Sequence, residues 1–254
     1  MAKMQGRNYP ISPFRRVVTD LMHFSLQVPS VTADRRMNLA PLVNARRQCS
    51  GAPGWCVLFT KAYALVARDY PELRRSYLKF PWPHFYEHPD SIATLNIERE
   101  APGEKIVLYC LVRSPENRSL GELDAIVRHH KEAPLEELRS YVRCRRLGRV
   151  PWPFRRWFWW AALNVLGRRR CHNFGTFGIT SVAAQGAGIL QLKPLLTSTL
   201  HYGLFDAQSC LDVRISWDHR VLDGGQVARV LSDLESILNR EIVAELRGLR
   251  LAAA

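Results

Sequence analysis

The sequence predicts an α/β domain, because two repeating patterns take turns along it. Leu211, Val213, Ile215 and Trp217 alternate with Asp212, Arg214 and Ser216, the period of a half-buried strand. Just beyond, Val227, Val230, Leu231, Leu234, Ile237 and Leu238 share one face at the 3.6-residue period of an amphipathic helix. A chain of 254 residues with 47% hydrophobic content can bury a full core, and α/β domains of that size often form one unit.

The remaining elements follow in order. Helical periodicity recurs around residues 13–25, 54–69, 119–131 and 226–239, and strand alternation around 29–38, 105–113, 174–182 and 211–217. Turn-rich polar breaks at Pro81-Trp82-Pro83, Pro102 to Glu104 and Ser114 to Arg118 separate elements rather than domains. There is no internal repeat or low-complexity stretch, so residues 1–254 are expected to form a single domain.

Chemistry concentrates between the last predicted strand and helix, in Trp217-Asp218-His219-Arg220-Val221-Leu222-Asp223-Gly224-Gly225. The strand delivers His219 to its end, and the helix starts after the glycine pair. An imidazole held on a turn between two regular elements suits a general base. Gly224 and Gly225 are expected to permit a tight turn with positive φ, and Asp218 and Arg220 to be exposed flanks.

The string Asp-His-Arg-Val-Leu-Asp-Gly-Gly, followed by Ala228, resembles the active-site signature of the dihydrolipoamide acyltransferase component of 2-oxo acid dehydrogenase complexes. The catalytic domain of that family shares its fold with chloramphenicol acetyltransferase. Other segments match it in the expected order. Ser12-Pro13-Phe14-Arg15-Arg16 resembles the opening Ser-Pro-x-Arg-Arg, and Val28-Pro29-Ser30-Val31-Thr32 resembles a Pro-His-Val-Thr strand with Ser30 in place of the histidine. Phe59-Thr60-Lys61-Ala62 through Tyr70-Pro71-Glu72-Leu73 resembles the second helix and its ending. Gly175-Thr176-Phe177-Gly178-Ile179-Thr180-Ser181 resembles the strand whose hydroxyl residue supports catalysis.

The resemblance implies a two-layer α/β sandwich, a mixed β-sheet covered by helices, assembled as a homotrimer or a higher assembly of trimers. It implies coenzyme A or acyl-coenzyme A as substrate. His219 would take the proton of a thiol, the thiolate would attack a thioester carbonyl, and Thr180 would donate to the oxyanion, with a one-residue slip to Ser181 left open. Loss of such a donor typically costs ~2.7–4 kcal/mol. In that family the histidine and the hydroxyl come from adjacent subunits, and the counterpart of Asp223 makes a structural ion pair that holds the turn with Gly224. Arg15 or Arg16 is its expected partner here, since an unpaired buried carboxylate is costly.

Residues 1–11 leave no room for a lipoyl or subunit-binding domain, so no lipoyl attachment is expected in this chain. The carrier thiol is expected from free coenzyme A, or from an acyl carrier protein or lipoyl domain acting in trans. No metal site is expected, because the histidines, including His129 and His130, lack ligand spacing. The competing reading is a catalytically silent scaffold of the same fold that binds a membrane or a protein partner through an Arg/Trp-rich segment at residues 139–170.

Residues 139–170 stand apart. They hold ten arginines and no acid, against a net charge of +13 for the whole chain, and four of its seven tryptophans. Prolines 151 and 153 and Gly167 are expected to bound one helix of about three to four turns. The segment reads as an insertion that presents Arg155, Arg156, Trp157, Phe158, Trp159 and Trp160 to a membrane or lipophilic substrate. Equally, it could face another subunit or lid the pocket. Nucleic acid is disfavoured, because no recognised binding motif accompanies the basic cluster.

Six cysteines without a C-x-x-C pair read as reduced structural thiols. No apolar signal core and no 18-residue apolar stretch is present. A cytoplasmic protein, with contact to a membrane at most peripheral, is the expectation.

Overall fold

The computed structural model describes residues 6–252; residues 1–5 and 253–254 of the expected domain lie outside the described residues. α1 (Pro13–Ser25) begins where the Ser12 hydroxyl accepts the Arg15 amide at 3.1 Å, with proline in the first turn. β1 (Ser30–Asn38), α2 (Ala40–Arg47) and α3 (Trp55–Asp69) follow. α3 is buried along almost its whole length. A short hairpin, β2 (Arg75–Leu78) and β3 (His84–Glu87), precedes β4 (Ile92–Ala101) and β5 (Glu104–Arg113). Pro102 to Glu104, expected as a break, is the tip joining β4 and β5, with Gly103 at φ +83°.

α4 (Leu120–Glu132) starts with a Ser119–Glu122 capping box. Next come α5 (Arg139–Arg149), α6 (Trp152–Asn164), α7 (Gly167–Phe174), β6 (Phe177–Thr180), β7 (Ser198–Tyr202), β8 (Cys210–Asp218), α8 (Gly224–Asn239) and α9 (Glu241–Ala252). The strands other than β2 and β3 form one mixed sheet, ordered β1-β8-β7-β6-β4-β5. β6 runs parallel to both β4 and β7, and the other pairings are antiparallel. Phe177, Ile179, Leu200, Leu211, Val213, Ile215 and Trp217 point from one face of the sheet into a core completed by α2, α3, α4, α8 and α9. This is the expected two-layer arrangement of helices on a mixed sheet.

β7 has no clean apolar alternation because it buries polar groups with their partners. Ser198 accepts the Tyr63 hydroxyl at 2.9 Å, and buried His201 bonds through both ring nitrogens. The strand expected over 174–182 is shorter, since Phe174 ends α7 and Gly175 turns at φ +91°.

The arginine-rich segment is three helices, and the single helix expected between Pro151 and Gly167 is the middle one, α6. α6 stops at Asn164, and Gly167 opens α7 instead of ending a helix. A Cβ at Gly167 would lie 2.1 Å from the Tyr86 ring, so this close approach of helix and hairpin requires glycine. Buried Arg170 fastens the segment from inside, donating to the carbonyls of Tyr77 at 2.7 Å, Leu163 at 3.1 Å and Leu195 at 3.1 Å. Burial holds its guanidinium down at about 10.

Candidate active site

β8 carries its apolar face through Trp217, and the chain then turns sharply. The amides of Val221 and Leu222 both donate to the Asp218 carbonyl, at 3.0 and 3.2 Å, and the His219 amide donates to the Pro29 carbonyl at 2.9 Å. The Trp217 indole donates to the Leu222 carbonyl at 2.8 Å and closes the turn from below. His219 therefore sits on a fixed backbone with its side chain 47% exposed, its ring 6.1 Å from that of Trp217. Ser30 faces Asp218 across the β1–β8 pair.

Asp218 and Arg220 are not exposed flanks. Asp218 is buried, and Arg220 grips it through Nε at 2.8 Å and Nη2 at 2.6 Å. The same guanidinium lies 4.2 Å over the Tyr77 ring. A buried carboxylate needs such a partner. This fork braces the turn from the strand side, a role that the flanking positions gave no hint of in sequence.

Asp223 occupies the N-cap position of α8, where its amide donates to Gln226 Oε1 at 3.0 Å. Its carboxylate is 83% exposed and 3.7 Å from His219 Nδ1. The expected ion pair with Arg15 or Arg16 is not formed within the chain. Both arginines lie exposed at the start of α1, whose 13 residues span about 20 Å before the chain returns towards Pro29. Gly224 and Gly225 are the first residues of α8, and neither has positive φ. Instead of glycine flexibility, the turn relies on the Asp218 carbonyl and the cap.

Thr180 ends β6. Its carbonyl accepts from His201 Nδ1 at 3.1 Å, while His201 Nε2 accepts the Ile189 amide at 2.9 Å. Those two bonds fix a neutral imidazole, and burial pushes its pKa below the ordinary 6.5. Ser181 is committed elsewhere: its hydroxyl donates to the Tyr202 carbonyl at 2.8 Å and accepts the Ala183 amide at 3.1 Å. Among the described residues, the Thr180 hydroxyl has no hydrogen-bond partner.

His219 and Asp223 are brought together, but Thr180 is not. Thr180 pairs with His201, which pairs with Arg214, five residues before His219. That register separates them by about 17 Å along the strands and about 10 Å across two strand spacings.

No protein-family profile and no curated protein matches the sequence. Solved structures do. The dihydrolipoamide acetyltransferase of Azotobacter vinelandii superposes with a TM-score of 0.66 at 17% identity, over 96% of this chain and 95% of its own. The chain has the fold of that acetyltransferase. The cubic core of the pyruvate dehydrogenase multienzyme complex gives a TM-score of 0.65 at 17% identity, covering 96% and 95%. A chloramphenicol acetyltransferase gives 0.51 at 10% identity, covering 91% and 99%. The Azotobacter acetyltransferase was studied for the catalytic roles of a serine, a histidine and an asparagine, the last two being four residues apart.

The six residues expected to face a membrane or partner divide between two sides of α6. Arg155 and Trp159 are buried. Arg155 Nε donates to the fully buried Asp20, and Arg156 Nε donates to the same carboxylate at 2.7 Å. Trp159 stacks between Phe24, at 6.0 Å, and Phe174, at 5.2 Å. Trp157, Phe158 and Trp160 are exposed, as are Trp152 and Phe154. All six cysteines are free, and burial pushes Cys56 up to about 11 and Cys110 to about 12, which leaves them poor nucleophiles.

Proposed function

We propose that this chain is a coenzyme A-dependent acyltransferase that uses His219 as general base. The observation that carries this reading is an exposed imidazole on the turn after β8, on the fold of dihydrolipoamide acetyltransferase, with a carboxylate four residues on. The imidazole takes the proton of an attacking thiol, or of a hydroxyl or amine acceptor. A thiol or hydroxyl gives up this proton as it adds to the thioester carbonyl, and an amine adds as the neutral group and gives up its proton as the new bond forms. The resulting oxyanion accepts a hydrogen bond from Thr180 of an adjacent subunit. Collapse breaks the carbon–sulfur bond, and the departing thiolate recovers the proton from His219, so no net acid or base is consumed.

Asp223 faces His219 Nδ1 and favours the imidazolium formed in mid-reaction, leaving Nε2 for the substrate. A trimer or assembly of trimers supplies the second half of each site. The cubic core with the same fold is consistent with such packing. The acyl group arrives on coenzyme A or on a carrier thiol in trans.

The test is thiol release from a panel of acyl-coenzyme A thioesters, with His219→Ala as control, with and without an added acceptor extract. Release that needs His219 and an acceptor supports acyl transfer and names the donor class. Silence across the panel, together with no coenzyme A binding, would replace this reading by the scaffold.

A further inference from the structure

α6 is apolar on both sides. Its inner face, Arg155, Trp159 and Leu163, is buried, and Arg155 there is neutralised by Asp20. Its outer face carries Phe154, Trp157, Phe158 and Ala161 at i, i+3, i+4 and i+7, the spacing of a helix stripe meant for contact. Yet Phe154 is 63% exposed, Trp157 60% and Phe158 50%. Surface aromatics scattered singly need no explanation; a continuous row does.

A second observation lies at the N-terminal end of the same helix. A cleft of about 510 Å³ opens between α1 and the α5–α6 junction, bordered by Arg16, Arg149, Arg155, Arg156 and Trp152. Asp20 is the acid in its wall. It engages Arg155 and Arg156, whereas Arg16 and Arg149 form no ion pair among the described residues. The cleft therefore carries an excess of positive charge at the N-terminal end of α6, on the side of the helix that holds Arg155 rather than that of the aromatic row, and α5 and α7 add Arg146, Arg168 and Arg169 as exposed neighbours in sequence. Exposed indole and phenyl groups on one side of a helix, with uncompensated guanidinium groups at its end and on the helices before and after it, fit the headgroup region of an anionic bilayer, where rings enter the acyl boundary and arginines meet phosphate. Among the described residues, no helix is long and apolar enough to cross a membrane.

We infer that the outer face of α6 is a membrane-docking surface that lies in the plane of an anionic lipid bilayer, with the Arg16–Arg149 cleft holding a lipid phosphate. The test uses the full chain with vesicles of phosphatidylcholine alone or with about one-third phosphatidylglycerol, a composition suited to detecting charge-dependent interfacial binding. The protein is expected to sediment with the anionic vesicles and not with the neutral ones, and to be released by high salt. The triple variant Phe154→Ala, Trp157→Ala, Phe158→Ala is expected to weaken sedimentation about tenfold or more, and the single variant Arg149→Gln about fivefold, the losses expected from removing interfacial rings and one phosphate contact. Circular dichroism and thermal melting check that both remain folded.

Equal sedimentation of the triple variant and the wild type would overturn the inference. So would a triple variant that changes the oligomeric state but not vesicle binding, since the row would then be a contact between copies of this chain. Inorganic phosphate that binds the cleft, while the wild type ignores anionic vesicles, would make the cleft a site for a soluble anion and would overturn it as well.

Discussion

Thr180 and His219 stand at opposite ends of one sheet, because Thr180 is level with Arg214 and His219 lies five residues further along β8. A site that needs both must be built from two chains. His219→Ala should be inactive alone, and Thr180→Val should keep about a hundredth or less of the activity. Dissociating and reassembling them together as a trimer should restore activity at about a quarter of the sites, the share of interfaces where an intact histidine meets an intact hydroxyl. Activity in an isolated monomer, measured by thiol release after gel filtration, would exclude the two-chain site.

Thr180 and Ser181 differ in what their hydroxyls already do. Thr180→Val keeps the shape and removes the unengaged donor, so the turnover number should fall about 10²–10³-fold with little change in melting temperature. Ser181→Ala breaks two bonds that hold the loop after β6 and should lower stability more than turnover. The opposite pattern would move the oxyanion role to Ser181.

Asp223 combines a helix cap with proximity to His219. Asp223→Asn keeps a side chain that can cap, whereas Asp223→Ala should cost about 1 kcal/mol in chemical denaturation. Both should slow acyl transfer, since neither leaves a negative charge 3.7 Å from the imidazole. If Asp223→Asn matched the wild-type rate, that charge would have no part in the reaction.

Asp20 is the anchor between α1 and α6. Removing one member of a buried ion pair leaves the others uncompensated, and Asp20→Ala should destabilise the protein by ~3–5 kcal/mol. Changing Asp20 together with Arg155 and Arg156 to apolar residues should recover much of that loss. Denaturant midpoints of the single and combined variants decide the point.

His201 gives stability a pH dependence. Its folded pKa lies below 6.5, so as pH falls the unfolded chain takes up the proton first. Its contribution is present above pH 6.5, declines as pH falls below it, and levels off once the folded imidazole is also protonated. Urea unfolding at pH 7.5 and 5.5 should show this decline, and His201→Gln should make it shallower. His172, also shifted downward by partial burial and nearby cations, would keep a residual slope.

The strand, turn and helix from Leu211 to Leu238 were readable because each is set by neighbours in sequence: alternation brings His219 to a strand end, and the helical stripe begins beyond Asp223. The two-layer fold was legible through motif resemblance. The opposition of Thr180 and His219 was not, since it depends on the register of β6, β7 and β8. Nor could sequence show which side of α6 would be buried. That choice depends on Asp20, 135 residues before Arg155, and an apolar ring of Trp and Phe offers no periodicity to break the tie. The Asp218–Arg220 fork was hidden for a similar reason, because burial of Asp218 follows from β1 and β7 closing around the end of β8.

Arg170 reaches three carbonyls that belong to α6, to β2 and to the loop before β7. One of those residues, Tyr77, is also the platform beneath Arg220. The back of the outer helix and the footing of the reactive turn thus share a single wall. A change at Tyr77 would loosen both at once, the seat of α6 through Arg170 and the support of the His219 turn through Arg220.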